Sequence, residues 1–256
     1  MHRLAYAVNI GAFPMSKFPV TVVKNIAQQL QARIQRKDWA ATGKLPGQRQ
    51  LAEEMGVSRA SLREAITMLE GLGLLRSEAG RGVFIAEPGE AGLGSAYGRW
   101  PFQGRYPLRD VYLVRAQLEE LAAMLAASVV TESGLERLRD TVRLMQAAAD
   151  VGDLVSMAEG DHAFHACMFE LAGSPLLLDI LAGIEDVVEG SRQVAFANPA
   201  RVNEPIHEHM LIIEALATGS PEKAGLAMRH HLNNVADRSG VRLGIQNGAA
   251  DPASLC

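Results

Sequence analysis

Cysteine is nearly absent from this chain of 256 residues: only Cys167 and the terminal Cys256 occur. Two so widely separated exclude a disulfide framework and point to a reducing cytoplasm. Aromatic residues are also scarce, at 5%, while Ala, Leu and Gly are plentiful, which leans the chain towards helices. No run approaches the ~18 apolar residues of a membrane span. The N-terminal "MHRLAYAVNIGAFPMSKFPV" has a short apolar run, but Asn9, Gly11 and Pro14 break it and no small-residue cleavage site follows. A signal peptide is therefore rejected; residues 1–15 read as a disordered extension, with Met15 a possible start. Internal repeats and low-complexity tracts are lacking. What remains, 48% hydrophobic and 21% charged, is the make-up of a globular protein of one large domain or two ordinary ones.

The chain also lacks an overall positive charge: its net charge is −4. The division is uneven. Between Ser16 and Glu87 eleven basic residues face seven acidic ones, a surplus of four, which leaves −8 for the rest. Such asymmetry suggests a polyanionic partner for one part.

Residues 88–108, "PGEAGLGSAYGRWPFQGRYPL", are dense in Gly and Pro and read as a linker, with Trp100 and Phe102 docked on a domain. Before it, Val20–Lys37 has a helical apolar spacing, and "LLRSEAGRGVFIAE" reads as a β-hairpin around Gly-Arg-Gly. After it, helices are expected at Arg109–Val130, Ser133–Ala149, Asp153–Ala172, Pro175–Ala197, Arg201–Thr218 and Pro221–Leu243. Short turns between them imply an antiparallel bundle.

"LAEEMGVSRASLREAITMLEGLGLL", from Leu51 to Leu75, reads as two short amphipathic helices around Gly56. Ser58 is a good N-cap, and Leu62, Ala65, Ile66 and Leu69 form the buried stripe. Arg59 and Arg63 fall off that stripe at the positive end of the helix, where the macrodipole opposes a cation. An anion in front of the helix resolves the conflict. This is the layout of a helix-turn-helix, whose second helix enters the major groove, and an arginine fork suits guanine O6 and N7. Arg81, between two glycines at the hairpin tip, would be a wing touching a neighbouring groove or phosphate.

"LPGQRQLAEEMGVSRASLREAITMLEGLGLL…GRGVFIAE" resembles the winged helix-turn-helix of the GntR family of bacterial transcription regulators. Leu45-Pro46, Arg49, Val57-Ser58-Arg59, Arg63-Glu64-Ala65 and Gly80-Arg81-Gly82 match its pattern, while Gly47-Gln48 and Ser61-Leu62 depart from it. The resemblance implies DNA-contacting roles for Arg49, Arg59, Arg63 and the wing at Arg81 and Gly82. With Ser58 and Ser61 at the start of the same helix, these make up the candidate DNA-binding set.

Six of the seven histidines follow residue 160. Asp161 and His165 are four apart and share a helical face, from which His162 points away. His209 lies ten residues before Gly219 and His231 eleven after Ser220. In an antiparallel helix pair these two side chains stand at one level. One Asp and three His converging in a bundle suit a divalent metal such as Zn²⁺, Ni²⁺ or Mn²⁺. His207 and His230 are rivals, since only one histidine of each neighbouring pair can face inwards.

This half resembles the FCD effector domain of the FadR-type subgroup: Arg115 with Glu119, Asp161 with His165, Glu208-His209 and His231-Leu232 follow its order. The resemblance implies that Asp161, His165, His209 and His231 bind a metal, zinc before nickel or manganese. It also implies open coordination positions for a small carboxylate effector, which Arg115 would contact; Arg192 and Asn233 are further candidates. The expected protein is mainly α, with a winged helix-turn-helix DNA-binding domain at 16–87 and a linker at 88–108. A helical effector-binding and dimerisation domain follows at 109–243, then a disordered tail at 244–256. It would be a cytoplasmic, homodimeric regulator, a repressor of a palindromic double-stranded DNA operator relieved by its metabolite. A metal-dependent hydrolase with an accessory DNA-binding head is the competing reading, disfavoured because no general base stands beside the ligands. A constitutive architectural DNA binder would leave the acidic bundle without a task.

Overall fold

The computed structural model describes residues 20–86, 100–197 and 201–243. The expected extension at 1–15, the tail at 244–256 and most of the linker fall outside the described residues. The chain runs α1 (Val20–Gln35), α2 (Gln48–Met55), α3 (Arg59–Gly71), β1 (Leu75–Glu78) and β2 (Gly82–Ile85). It continues as α4 (Leu108–Ala127), α5 (Glu132–Asp150), α6 (Leu154–Ala172), α7 (Pro175–Gly183), α8 (Glu185–Ala195), α9 (Glu204–Ala217) and α10 (Pro221–Arg238). No helix among the described residues is long and apolar enough to cross a membrane.

In the N-terminal part, α1 buries Ile26, Ala27 and Leu30, and α3 buries Leu62, Ala65, Ile66 and Leu69. This is the spacing of one helical face in each case. Gly56 takes φ +64° after α2, a left-handed conformation that costs glycine little. Ser58 then caps α3 by accepting a hydrogen bond from the Ser61 N–H at 3.0 Å. The antiparallel hairpin pairs Leu75 with Ile85 through to Glu78 with Gly82. Its second strand is also held by Leu45, whose N–H donates to the Val83 carbonyl at 2.9 Å.

Among the described residues, the seven helices α4 to α10 form the bundle. The stretch Pro175–Ala197, expected as one helix, is two: the chain breaks at Gly183-Ile184, and α8 restarts with Glu185 and Asp186 in its first turn. Glycine is a weak helix interior residue, and two acids suit a new positive helix end. Trp100 is buried in a satellite apolar cluster with Leu108, Tyr112, Val194 and Val241. Its Nε1–H donates to the Tyr106 carbonyl at 2.6 Å, so the chain entering α4 is pinned to the bundle.

The N-terminal part rests on this bundle at two places. Along α1, Gln28 donates to Ser156 Oγ at 2.9 Å, and Gln31 donates to Asp153 Oδ1 at 3.0 Å while accepting from the Leu154 N–H. Both contacts meet the first turn of α6, whose N-cap is Asp153. At the end of α3, Gly71 and Gly73 lie against Gln193 and Ala197 so closely that a Cβ on either glycine would come within about 3 Å of them.

Candidate metal centre and nucleic-acid interface

Three helices bring the four expected ligand residues together. Asp161 and His165 project from α6, His209 from α9 and His231 from α10; all four are buried, and one ligand atom from each lies within 4.8 Å of the others. Asp161 Oδ1 is 3.6 Å from His209 Nε2 and 3.8 Å from His165 Nε2, and the Nε2 atoms of His165 and His231 are 3.4 Å apart. The three imidazoles therefore aim the same nitrogen at one point.

Two of the rings are oriented from behind. His165 Nδ1 stands 2.5 Å from Glu119 Oε2, and His231 Nδ1 stands 2.7 Å from Glu208 Oε2. Carboxylates on Nδ1 select the tautomer that leaves Nε2 free, the usual support of a metal-bound imidazole. Burial works against the ionised form of both carboxyls. Arg115 and His165 nevertheless hold Glu119 well below the ordinary carboxylate range, and His231 and Arg238 lower Glu208. Sequence reasoning named Glu208 only as part of the FCD pattern and gave it no role at the site. Its signal was present, however: Glu208 is as far before Gly219 as His231 is after Ser220.

His209 is stacked on Phe164, with centroids 3.8 Å apart and planes 4° from parallel, and neither of its nitrogens has a hydrogen-bond partner. Burial, followed by the positive character of His231, His165 and Arg238, depresses its pKa well below the usual imidazole value. A neutral imidazole with a free nitrogen is the form that ligates a metal.

Beside the cluster is a cavity of about 10 Å³, lined among others by Arg115, Asp161, Arg192, Phe196 and Arg238. That is room for roughly one water. Arg115 donates to Glu119 Oε1 at 2.8 Å and to Ser191 Oγ at 3.0 Å, yet its Nη2 is unpartnered; so are Nε and Nη2 of Arg192. Asn233 does not line this cavity. Two positions beyond His231, it is turned about 200° around α10. The rivals His207 and His230 are exposed. His162 lies outside the cluster, 3.1 Å from Glu189, whose hydrogen bond raises its pKa.

Across the N-terminal part, Arg49, Arg59 and Arg63 are exposed and form no ion pair among the described residues. Ser58 and Ser61 share a 2.9 Å hydroxyl hydrogen bond at the α3 start. Arg81 is at the hairpin tip, ion-paired with Glu78, and the following Gly82 takes φ +117° with Lys44 packed against it. The α3 start and the wing thus carry exposed arginines.

Residues 22–85 match the family described as bacterial regulatory proteins, gntR family, and residues 110–234 match the FCD domain. The HTH-type transcriptional regulator LutR of Bacillus subtilis (strain 168) is 30% identical over 199 residues, covering 76% of this chain and 90% of that protein. A putative L-lactate dehydrogenase operon regulatory protein of Escherichia coli (strain K12) is 29% identical over 237 residues, 86% of this chain and 87% of its own. The Glc operon transcriptional activator of the same strain is 28% identical over 198 residues, 75% of this chain and 78% of its own.

Proposed function

The chain belongs to the GntR family and carries an FCD domain, and from that we propose that it is a zinc-dependent repressor released by a small carboxylate. The matched families and relatives regulate transcription and are not enzymes, so the coarse function, a ligand-responsive DNA-binding regulator, follows from membership. The metal, the effector and the direction of the response are our reading.

One observation carries the metal. Four buried residues each bring a ligand atom within 4.8 Å of the others, and neither nitrogen of His209 among them has a hydrogen-bond partner. Buried polar groups are normally satisfied, and leaving one unmade costs ~1–3 kcal/mol. Asp161, His165, His209 and His231 would hold the ion, Glu119 and Glu208 orienting two of the rings. A bound divalent ion supplies positive charge and open coordination positions for an oxygen ligand. The effector reading rests on Arg115 and Arg192, which line the cavity and carry donors without a hydrogen-bond partner and suit a carboxylate's planar pair of oxygens. The small cavity favours a small acid, and the relative named for L-lactate dehydrogenase regulation makes L-lactate the first to test.

For the DNA-bound form, Arg59 and Arg63 would read base edges, with Arg49, Ser58, Ser61 and the wing at Arg81 and Gly82 placing the head. One such head reads few base pairs, so a homodimer on a palindrome is the natural assembly. The exposed Val114, Leu121 and Leu125 along α4, with Val129 just beyond, support a second copy as partner. The cytoplasm is the corresponding compartment.

Elemental analysis of the purified protein beside His209→Ala tests the metal. We expect about one transition-metal ion per chain in the wild type, lost in the variant. No metal in either protein after incubation with Zn²⁺, Ni²⁺ and Mn²⁺ sinks the reading.

A further inference from the structure

One of the bundle helices that line the cavity, α8, also touches the recognition helix. On α8, Arg192 reaches the cluster, its Nε 3.8 Å from Asp161 Oδ2. Ser191 beside it accepts from Arg115, and its carbonyl accepts from the Tyr112 hydroxyl at 2.7 Å. One residue on, Gln193 packs against Gly71, the last residue of α3; Ala197, just past the helix end, packs against Gly73. Phe196, between them in sequence, lines the cavity.

These contacts leave little slack. A Cβ on Gly71 would stand 2.9 Å from Gln193 Oε1 and 3.2 Å from its Cβ, and one on Gly73, at φ +74°, 3.0 Å from the Ala197 Cβ and 3.2 Å from its Cα. The cavity holds roughly one water, so anything larger must displace its lining, of which Arg192, Ala195 and Phe196 belong to α8 or its end. A cation on Asp161 acts on the same helix electrostatically, because it withdraws negative charge facing the buried Arg192 guanidinium. Packed elements transmit such shifts because their interiors do not compress.

We propose that α8 relays occupancy of the metal and effector site to the end of the recognition helix, through Gln193 on Gly71 and Ala197 on Gly73. The covalent linker need not carry the signal. This rests on the metal reading above and adds the route by which binding reaches the DNA-reading surface.

The test is amide hydrogen exchange of the full chain, stripped by chelator and then measured with and without Zn²⁺ alone. The amides of Leu72, Gly73 and Leu74 bond back to Met68, Glu70 and Leu69 at the end of α3, and they are the reporters. In the wild type we expect Zn²⁺ to change exchange in α6, α10 and α8, and by about fivefold or more at these reporters. Gln193→Ala combined with Ala197→Gly should keep the response in α6 and α10 and lose it at residues 72–74. Slow exchange of the Leu62–Leu69 amides confirms that its head remains folded. A five-residue Gly-Ser insertion within 87–99 should leave the reporter response intact.

The relay is overturned, with the metal reading standing, if α6 and α10 respond while the wild-type reporters do not. It is also overturned if the double variant still transmits or the insertion abolishes transmission. No response anywhere to Zn²⁺ overturns the metal reading and the relay with it.

Discussion

Glu119 serves two neighbours at once. One oxygen accepts from Arg115 and the other faces His165 Nδ1, so a single buried carboxylate sets both the cation side and the anion side of the site. Glu119→Gln keeps an oxygen for Arg115 but loses the charge that fixes the His165 tautomer. We expect its Zn²⁺ affinity, measured by competition with a chromophoric chelator, to fall ~10–100-fold while the fold persists. An unchanged affinity would remove Glu119 from the metal's support. At this scale the sequence was informative wherever helix geometry alone decides. The i, i+4 spacing brought Asp161 and His165 to one face, and nearly equal distances from Gly219-Ser220, ten and eleven residues, placed His209 level with His231. The placing of the Glu119 and Glu208 carboxylates behind His165 and His231 depends on which helix packs behind each ring, a relation between segments far apart in the chain.

Among the elements, the capping signals were the most legible. Ser58, Thr131, Asp153, Ser174 and Ser220 each accept from the backbone N–H three residues on, in the first turn of the helix that follows, and such residues mark helix starts locally. The break between α7 and α8 was not legible, because "LLLDILAGIEDVVEG" keeps an apolar helical period through Gly183. Nor were the glutamines of α1: Gln28 and Gln31 look like solvent-facing positions until α6 is set beside them. Asp153 joins both themes, since it caps α6 and receives Gln28 and Gln31. Burial pushes its carboxyl up, but the hydrogen bonds from Ser156, Gln31 and Gln28 prevail and lower its pKa. A carboxyl lowered on folding stabilises the protein above its unfolded pKa of about 3.9, and that gain disappears as pH falls through the folded value. Asp153→Asn retains a capping oxygen without the charge. The wild type should therefore melt above this variant near pH 6, and the gap should close as pH falls below the unfolded value and through the lowered folded one. A gap independent of pH would mean that the charge of Asp153 contributes nothing to docking or capping.

Over the whole molecule the charge is segregated: the DNA-reading part carries the cationic surplus and the bundle the acidic one. This favours approach of DNA by the head and disfavours wrapping of DNA around the bundle. If Arg59 reads a base, Arg59→Ala should relax preference at one position of each half-site by ~1–3 kcal/mol. Randomised duplexes sequenced before and after selection on the wild type and the variant measure this. A uniform loss of affinity with an unchanged consensus would assign Arg59 to phosphate instead. The charge split and the two-part organisation could be read from the chain directly. How the parts lean on each other could not, because Gly71 and Gly73 acquire their purpose only beside Gln193 and Ala197.

The chain has two tryptophans, and the fold has put one in each part. Trp39 is buried in the head, its ring 4.5 Å from the Arg33 guanidinium carbon, and Trp100 is buried in the bundle's satellite cluster, donating to the Tyr106 carbonyl. The protein thus carries two native fluorophores in chemically different surroundings, one beside a cation and one tied to a carbonyl. Replacing either by phenylalanine leaves a single-colour lamp on the other part. Melting or ligand binding can then be followed in the head and in the bundle separately, without attaching any dye.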